Sequence, residues 1–292
     1  MRVLCFDIGG TNVKYGVIEN EQFLEKGLFD TDAHLGKEHM NNKLVSIAKE
    51  MKEKYGVEGV GISCAGSVDF ERAYITIAPD ALPDFSDWDF RKLFKDNVGL
   101  DCIADNDVNS FAKAECVNGA GKNYDHFIVI TVGTGIGGAI VMNDQIWRGK
   151  NYNAGEVGRM LIGNARWETV ASTSALIREA NRAGLDVKNG IELFELYDKR
   201  EELAIAVVNR FYDLLGIGLS TLVYIYNPEA IIIGGGISKR ENFTSRVERY
   251  MNSHLPTGFR DTAKILTASY RNDGGMIGAY YNFIEYKQKR GE

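Results

Sequence analysis

Two stretches of this 292-residue chain carry the residue types needed to hold a phosphate. Residues 7–14 read DIGGTNVK, with an acid, two glycines, a hydroxyl and a lysine in succession. Gly9 and Gly10 let an anion come close to the backbone N–H groups, Thr11 can donate to its oxygens, and Lys14 adds a positive charge. Asp7 suits the orientation of a hydrated Mg²⁺ accompanying ATP. A plain hairpin would also want glycine, but Asp-x-Gly-Gly-Thr is richer than a turn requires. Residues 133–138, GTGIGG, are the second stretch, and Gly133, Thr134, Gly135 and Gly137 are its candidate phosphate-loop residues. Gly133, Gly135 and Gly138 formally satisfy G-x-G-x-x-G, but a dinucleotide turn must open a helix. Here a strand-like run, AIVM, follows, so the expectation is a β-hairpin phosphate loop and not an NAD site. No Walker A motif occurs, since Asn123 follows Gly121-Lys122.

A third cluster, ADNDVNS at 104–110, follows the strand-like DCIA and precedes a helical run closed by Gly119. Two carboxylates and two carboxamides in five residues exceed what one helix cap needs, although Asp105 and Asp107 could both serve as caps. Transfer of a phosphoryl group from ATP to a hydroxyl needs a proton acceptor and groups that fix the acceptor molecule. Asp107 is the candidate base and Asn106 the candidate orienter.

The elements that must hold these clusters follow a repeated order. RVLCF is a strand leading into the first glycine loop, followed by VKYGVI and FLEKGLF as an antiparallel meander. Residues 38–54 carry an apolar stripe (Met40, Leu44, Ile47, Ala48, Met51), which predicts a helix ended by Gly56. VEGVGISCAG is a buried strand running into a glycine turn. The second half repeats the order with HFIVITV, the glycine loop, AIVM, an Asn143-Asp144 hairpin turn, QIW, and later EAIIIGGGIS. Residues 7 and 131 mark equivalent points, as a duplicated domain requires. The expected fold is α/β, two lobes with a central cleft, divided as 1–118 and 119–292. A last helix near 275–290 is expected to pack back on the first lobe.

A formal charge of −6, with no basic block, argues against nucleic acid or an anionic membrane as partner. Cys5, Cys64, Cys102 and Cys116 form no C-x-x-C pair, and Cys5 and Cys102 read as buried thiols of a reducing cytosol. Neither a signal peptide nor a run of 18 apolar residues is evident, so a cytoplasmic protein with no membrane span is expected.

These pieces together resemble the ROK group (repressors, open reading frames, kinases) of sugar kinases, on the duplicated actin/Hsp70-like (ribonuclease H-like) fold. DIGGTNVKYG and TVGTGIGGAI resemble its two phosphate loops, NDVNSFAKAE its catalytic segment with the base at Asp107, and IIIGGGIS its adenosine-side turn, here Gly235 and Gly236. GGMIGAYY at 274–281 looks like its terminal crossover helix. GKNYNAGEVGRM resembles the signature G-x-N-x-x-A-G-E-x-G-H, which implies that Glu156 binds sugar hydroxyls. Glu168, in WETVAS, corresponds to the next sugar-binding glutamate, and Gly66, in the turn ending VEGVGISCAG, joins the sugar side. Many members bind zinc through that histidine and a nearby cysteine cluster. Here Arg159 stands at the histidine position and MLIGNARWE contains no cysteine, so no zinc site is expected. Arg159 would then bind a sugar hydroxyl or pair with Glu156.

The resemblance implies an ATP- and Mg²⁺-dependent kinase of a hexose 6-hydroxyl, acting on a small-molecule sugar as a homodimer. A wall loosened by loss of the zinc loop favours a β-glucoside, then glucose, with N-acetylmannosamine the alternative. A non-catalytic sugar-sensing regulator would need a DNA-reading module ahead of the first strand, which begins at residue 2. A chaperone-type nucleotide-gated binder would need a peptide-binding extension, and none is evident.

Overall fold

A computed structural model describes residues 1–78 and 82–291. The chain folds as two compact units. One comprises Met1–Gly119, Arg148–Ala154 and Asn272–Glu292, and the other Ala120–Trp147 and Gly155–Arg271. Residues 148–154 and 272–292 thus belong with the first unit, although the boundary drawn from sequence put them in the second half.

In the first unit, β1 (Arg2–Ile8), β2 (Asn12–Glu19) and β3 (Gln22–Asp30) form the meander, and α1 (Gly36–Tyr55) follows. Helix α1 ends where Gly56 takes φ 64°, the left-handed cap that glycine adopts without strain. Then come β4 (Gly59–Cys64), β5 (Ser67–Asp69), β6 (Tyr74–Ile77), β7 (Trp88–Asp89), α2 (Phe90–Val98), β8 (Asp101–Asn106) and α3 (Asp107–Asn118). The main sheet runs β3-β2-β1-β4-β8, with β1, β4 and β8 mutually parallel. Strand β4 is buried along its whole length, as expected of a central parallel strand covered on both faces.

The second unit repeats the plan. Its elements are β9 (His126–Val132), β10 (Ile136–Met142), β11 (Gln145–Ile146), β12 (Leu161–Ile162), β13 (Ala165–Arg166), α4 (Trp167–Ala171), α5 (Thr173–Arg182), α6 (Gly190–Asp198), α7 (Glu202–Tyr226), β14 (Ala230–Gly234), α8 (Phe243–Ser253) and β15 (Lys264–Thr267). Its sheet runs β11-β10-β9-β14-β15, again a hairpin beside parallel strands. Strands β1 and β9 each have seven residues and the same sequence of buried and accessible positions. The fold is α/β, of the duplicated actin-like type.

Helix α7 has 25 residues. It is a helix long and apolar enough, by length and composition, to cross a membrane. Half of its most apolar window is buried inside the unit, where Phe211, Leu215 and Leu219 share a core with Trp167 and Ile231. Its apolarity is that of a core helix flanked by α4, α5, α6 and α8.

Helix α9 (Gly274–Lys289) returns to the first unit and packs on β1, β4 and α3. The approach is backbone to backbone. A Cβ on Gly278 would lie 1.6 Å from the Ser110 carbonyl oxygen, and one on Gly61 would lie 2.6 Å from that of Ala279. No rotamer change can relieve a clash with main chain, so Gly278→Ala must push α9 off α3. We expect that variant to lose about 3 kcal/mol of stability, read as a lowered urea midpoint for the unit.

Candidate active site

Strand register gathers the chemistry of the first unit at one edge of its sheet. Asp7 pairs with Lys14 on β2 and with Ser63 on β4, and Ser63 pairs with Asp105 on β8. With a side-chain period of two, these four residues share one face. Asp7 accepts from Ser63 Oγ at 2.8 Å and from Lys14 Nζ at 3.1 Å. Lys14 also donates to the Asn272 carbonyl at 3.0 Å, so its ammonium is held between Asp7 and the approach to α9. Lys14, expected on the nucleotide, is thus engaged with Asp7 in this state.

The loop Gly9-Gly10-Thr11 joins β1 to β2. Thr31, 1% exposed, holds it from behind: its hydroxyl donates to the Gly9 carbonyl at 2.7 Å, and its N–H donates to the Thr11 carbonyl at 2.9 Å. Among the described residues, the backbone N–H groups of Gly10 and Thr11 have no protein acceptor. Carbonyls pinned on one side and free N–H donors make a concavity suited to an anion.

Asp107 opens α3 two residues after Asp105. The cap itself is neither aspartate: Asn106 Oδ1 accepts from Val108 N at 2.9 Å and Asn109 N at 3.2 Å. Asn106 Nδ2 donates to the carbonyl of Gly66 at 3.0 Å. The candidate orienter is therefore first a structural clamp, and Gly66, at φ 104°, contributes a backbone acceptor to it. Burial pushes the Cys64 thiol well above its ordinary range, and the charges of Asp107, Asp105 and Asp7, in that order, push it further. All three carboxylates thus act on one thiol at the end of β4.

The second unit arranges its own residues around the β9–β10 connection. Val132 pairs with Ile136, so the loop proper is 133–135 and Gly137 already lies in β10 opposite Thr131. Gly133 N donates to Gly135 O at 3.0 Å, and Thr173 N, at the start of α5, donates to Gly133 O at 2.9 Å. Among the described residues, the N–H groups of Thr134 and Gly135 have no protein acceptor. The third glycine of the apparent dinucleotide motif serves packing instead: a Cβ on Gly138 would meet the Gly155 carbonyl at 2.6 Å. Glu168, in the first turn of α4, stands beside the loop, its Oε2 2.9 Å from where a Gly135 side chain would begin. Glu156, just before the 3₁₀ turn Val157–Arg159, and Arg159, its last residue, form an ion pair at 3.1 Å, both half exposed. At the end of β14, Gly235 has φ 99° and sits so close to β9 that a Cβ would lie 2.2 Å from the Val132 carbonyl. Gly236 beside it faces open space.

A family model described as the ROK family matches residues 3–285. The chain belongs to the ROK family. A β-glucoside kinase of Listeria monocytogenes is 30% identical over 302 residues, 99% of each chain. Among solved structures, a ROK family glucokinase from Streptomyces griseus in complex with glucose and AMPPNP is 27% identical. That match has TM-score 0.81 and covers 96% of this chain and 98% of that one. A Listeria monocytogenes protein put forward as an N-acetylmannosamine kinase is 28% identical, with TM-score 0.87 and coverage of 98% and 100%.

Sequence reasoning passed over Thr31, Ser63, Arg148 and Asn282, because each acts on a residue remote along the chain. Only Thr31, a hydroxyl ending the meander, left even a local signal. One consequence of the site's burial is measurable. Cys5, Cys64 and Cys102 are buried and their thiols are pushed upward chiefly by burial, whereas Cys116 is partly exposed. Titration of the native protein with a thiol reagent at pH 8 is expected to modify at most one cysteine quickly, and all four only after unfolding.

Proposed function

We propose that this ROK family protein is an ATP-dependent kinase of the 6-hydroxyl of a hexose or hexoside. The observation that carries the reading is the first unit's edge, where Asp107, Asp7 and the outward N–H groups of the Gly9–Thr11 loop occur together. A base, a charged anchor and an anion cradle are what phosphoryl transfer to an alcohol requires.

In this reading Asp107 accepts the hydroxyl proton as the sugar oxygen attacks the γ-phosphorus, and ADP leaves. Asn106 aligns the acceptor through the second hydrogen of its amide, the first being spent on Gly66. The N–H groups of residues 10–11 and of 134–135 donate to phosphate oxygens, and Gly235 and Gly236 border the adenosine. Glu156 and Glu168 hold sugar hydroxyls.

Among the described residues no three His, Cys, Asp or Glu side chains cluster as a metal cage. The Asp7 carboxylate, one hard oxygen donor, fits Mg²⁺, which is commonly held by phosphates, water and one or two carboxylates. When bound, the ion would offset phosphate charge.

For the substrate, the 30% identity to a β-glucoside kinase supports a β-glucoside first and glucose second. The short β12–β13 hairpin at 161–166 replaces the family's cysteine cluster, and Arg159 neutralises Glu156 beside it. N-acetylmannosamine is the second reading, favoured by the 28% identical neighbour put forward for that sugar. A homodimer and a cytoplasmic location accompany the proposal through the family resemblance.

A panel of cellobiose, arbutin, glucose, mannose, fructose and N-acetylmannosamine, read by ADP release, tests the function. At least one sugar should stimulate release, and Asp107→Ala should lower kcat by about 10²–10⁴-fold. If no sugar stimulates ADP release, the kinase reading fails. Thr31→Val, which unpins the Gly9 carbonyl, should raise the KM for ATP more than that for sugar.

A further inference from the structure

Asp105 is fully buried, and the groups around it come from the start of α3 and from two distant parts of the chain. Arg148 grips it with Nη2 at 2.6 Å and Nε at 3.1 Å from Oδ2. Asn282, on α9, donates to Oδ2 at 3.3 Å, and Asn109, on α3, donates to Oδ1 at 3.3 Å. The backbone N–H of Asn106 donates to Oδ1 at 2.9 Å. A carboxylate out of water persists only when its charge is matched and its lone pairs are filled, and Arg148 supplies the charge.

Arg148 is itself fixed. Its guanidinium lies over the ring of Phe70, 3.8 Å from the centroid, and it is 18% exposed. The segment that carries it is tied to the β5–β6 hairpin, where Ser67 Oγ donates to Asn153 Oδ1. Gly66, whose carbonyl holds Asn106, directly precedes Ser67. Arg148 therefore acts on the α3 cap by two routes: through Asp105 to the N–H of Asn106, and through its own segment to Gly66.

We infer that Arg148 is a positioning residue for catalysis, which, through Asp105, fixes the start of α3 and hence the carboxylate of Asp107. The inference rests on the kinase reading proposed above. Withdrawing the guanidinium leaves a buried, unmatched carboxylate whose rearrangement must move Asn106, and Asp107 follows it along the chain. Misplacement of a reacting group by about 1 Å can cost about 10² in rate. Asn106 and Asp107 align and deprotonate the attacking hydroxyl, whereas Glu156, Glu168 and the glycine loops hold the rest of the sugar and the phosphates, so the effect belongs chiefly in kcat.

The test uses the whole protein with the best sugar from the panel, with rates normalised to folded protein by circular dichroism. Arg148→Met should lower kcat about 10²-fold while both KM values stay within about threefold. Arg148→Lys restores the charge without the two-pronged grip and should recover part of the loss. The double variant Arg148→Met with Asp105→Asn buries no unmatched charge, so it keeps the measurement open if the single variant folds poorly. Its kcat should be no lower than that of the worse single variant, because both changes cut one linkage. Losses that multiply, or an Arg148→Met enzyme with unaltered kcat and only a lowered unfolding midpoint, would overturn the inference. A wild type inactive on every sugar would overturn the kinase reading and this proposal with it. An active wild type, a dead Asp107→Ala and a fully active Arg148→Met would sink this proposal alone.

Discussion

Placing negative charge at the carboxyl ends of β1 and β8, partly buried at Asp7 and fully at Asp105, is the constraint that organises the first unit. Asp7 and Asp105 stand one strand apart from each other across Ser63, under a helix whose backbone comes close to the sheet at Gly61. Two carboxylates in such a place would destabilise the fold unless each found donors. Lys14 and Ser63 serve Asp7, and Arg148, Asn109 and Asn282 serve Asp105. The donors come from β2, β4, α3, the 148–154 segment and α9, so satisfying the charges also assembles the unit. The glycines at 61, 275 and 278 follow from the same need, since α9 must come near enough for Asn282 to reach Asp105.

The second unit shows what the same backbone plan does without that charge. Strands β1 and β9 match in length and burial, yet Asp7 in the first corresponds to Thr131 in the second. Around Thr131 lie Gly137 and Gly234, and no buried carboxylate asks for compensation. Both units keep a short glycine connection with outward N–H groups, because that feature belongs to the hairpin and not to the charge. The repeated plan thus carries a glycine connection in each unit, and Asp7 has an uncharged counterpart in Thr131.

Much of the fold was legible because it is locally determined. The short apolar run AIVM after GTGIGG identified a hairpin where a dinucleotide motif would demand a helix, and Val132 pairs with Ile136 accordingly. Asn143 and Asp144 both adopt positive φ, 52° and 59°, the two-residue turn their types favour. The helix ended by Gly56 was visible in its apolar stripe. The setting of helix α7 was not legible, since a window of residues cannot show that four helices cover it. The candidate site was legible as residue types, but their partners were not. Asn106 read as an orienter and proves first to be a cap, and Lys14 read as a nucleotide contact and proves to be held by Asp7.

What the sequence determined by itself is therefore the set of short-range facts: strand, glycine turn, strand; cap and helix; acid beside hydroxyl. These depend on φ preferences and on periods of two and 3.6 residues, which act over a few positions. Tertiary structure alone decided that Arg148 meets Asp105, that Thr31 pins Gly9, and that the third glycine of 133–138 makes room for Gly155. Each of those pairings joins residues some 17 to 43 positions apart. Their reason is the cost of leaving a buried charge or carbonyl unmatched, and that cost exists only once the chain has closed around it.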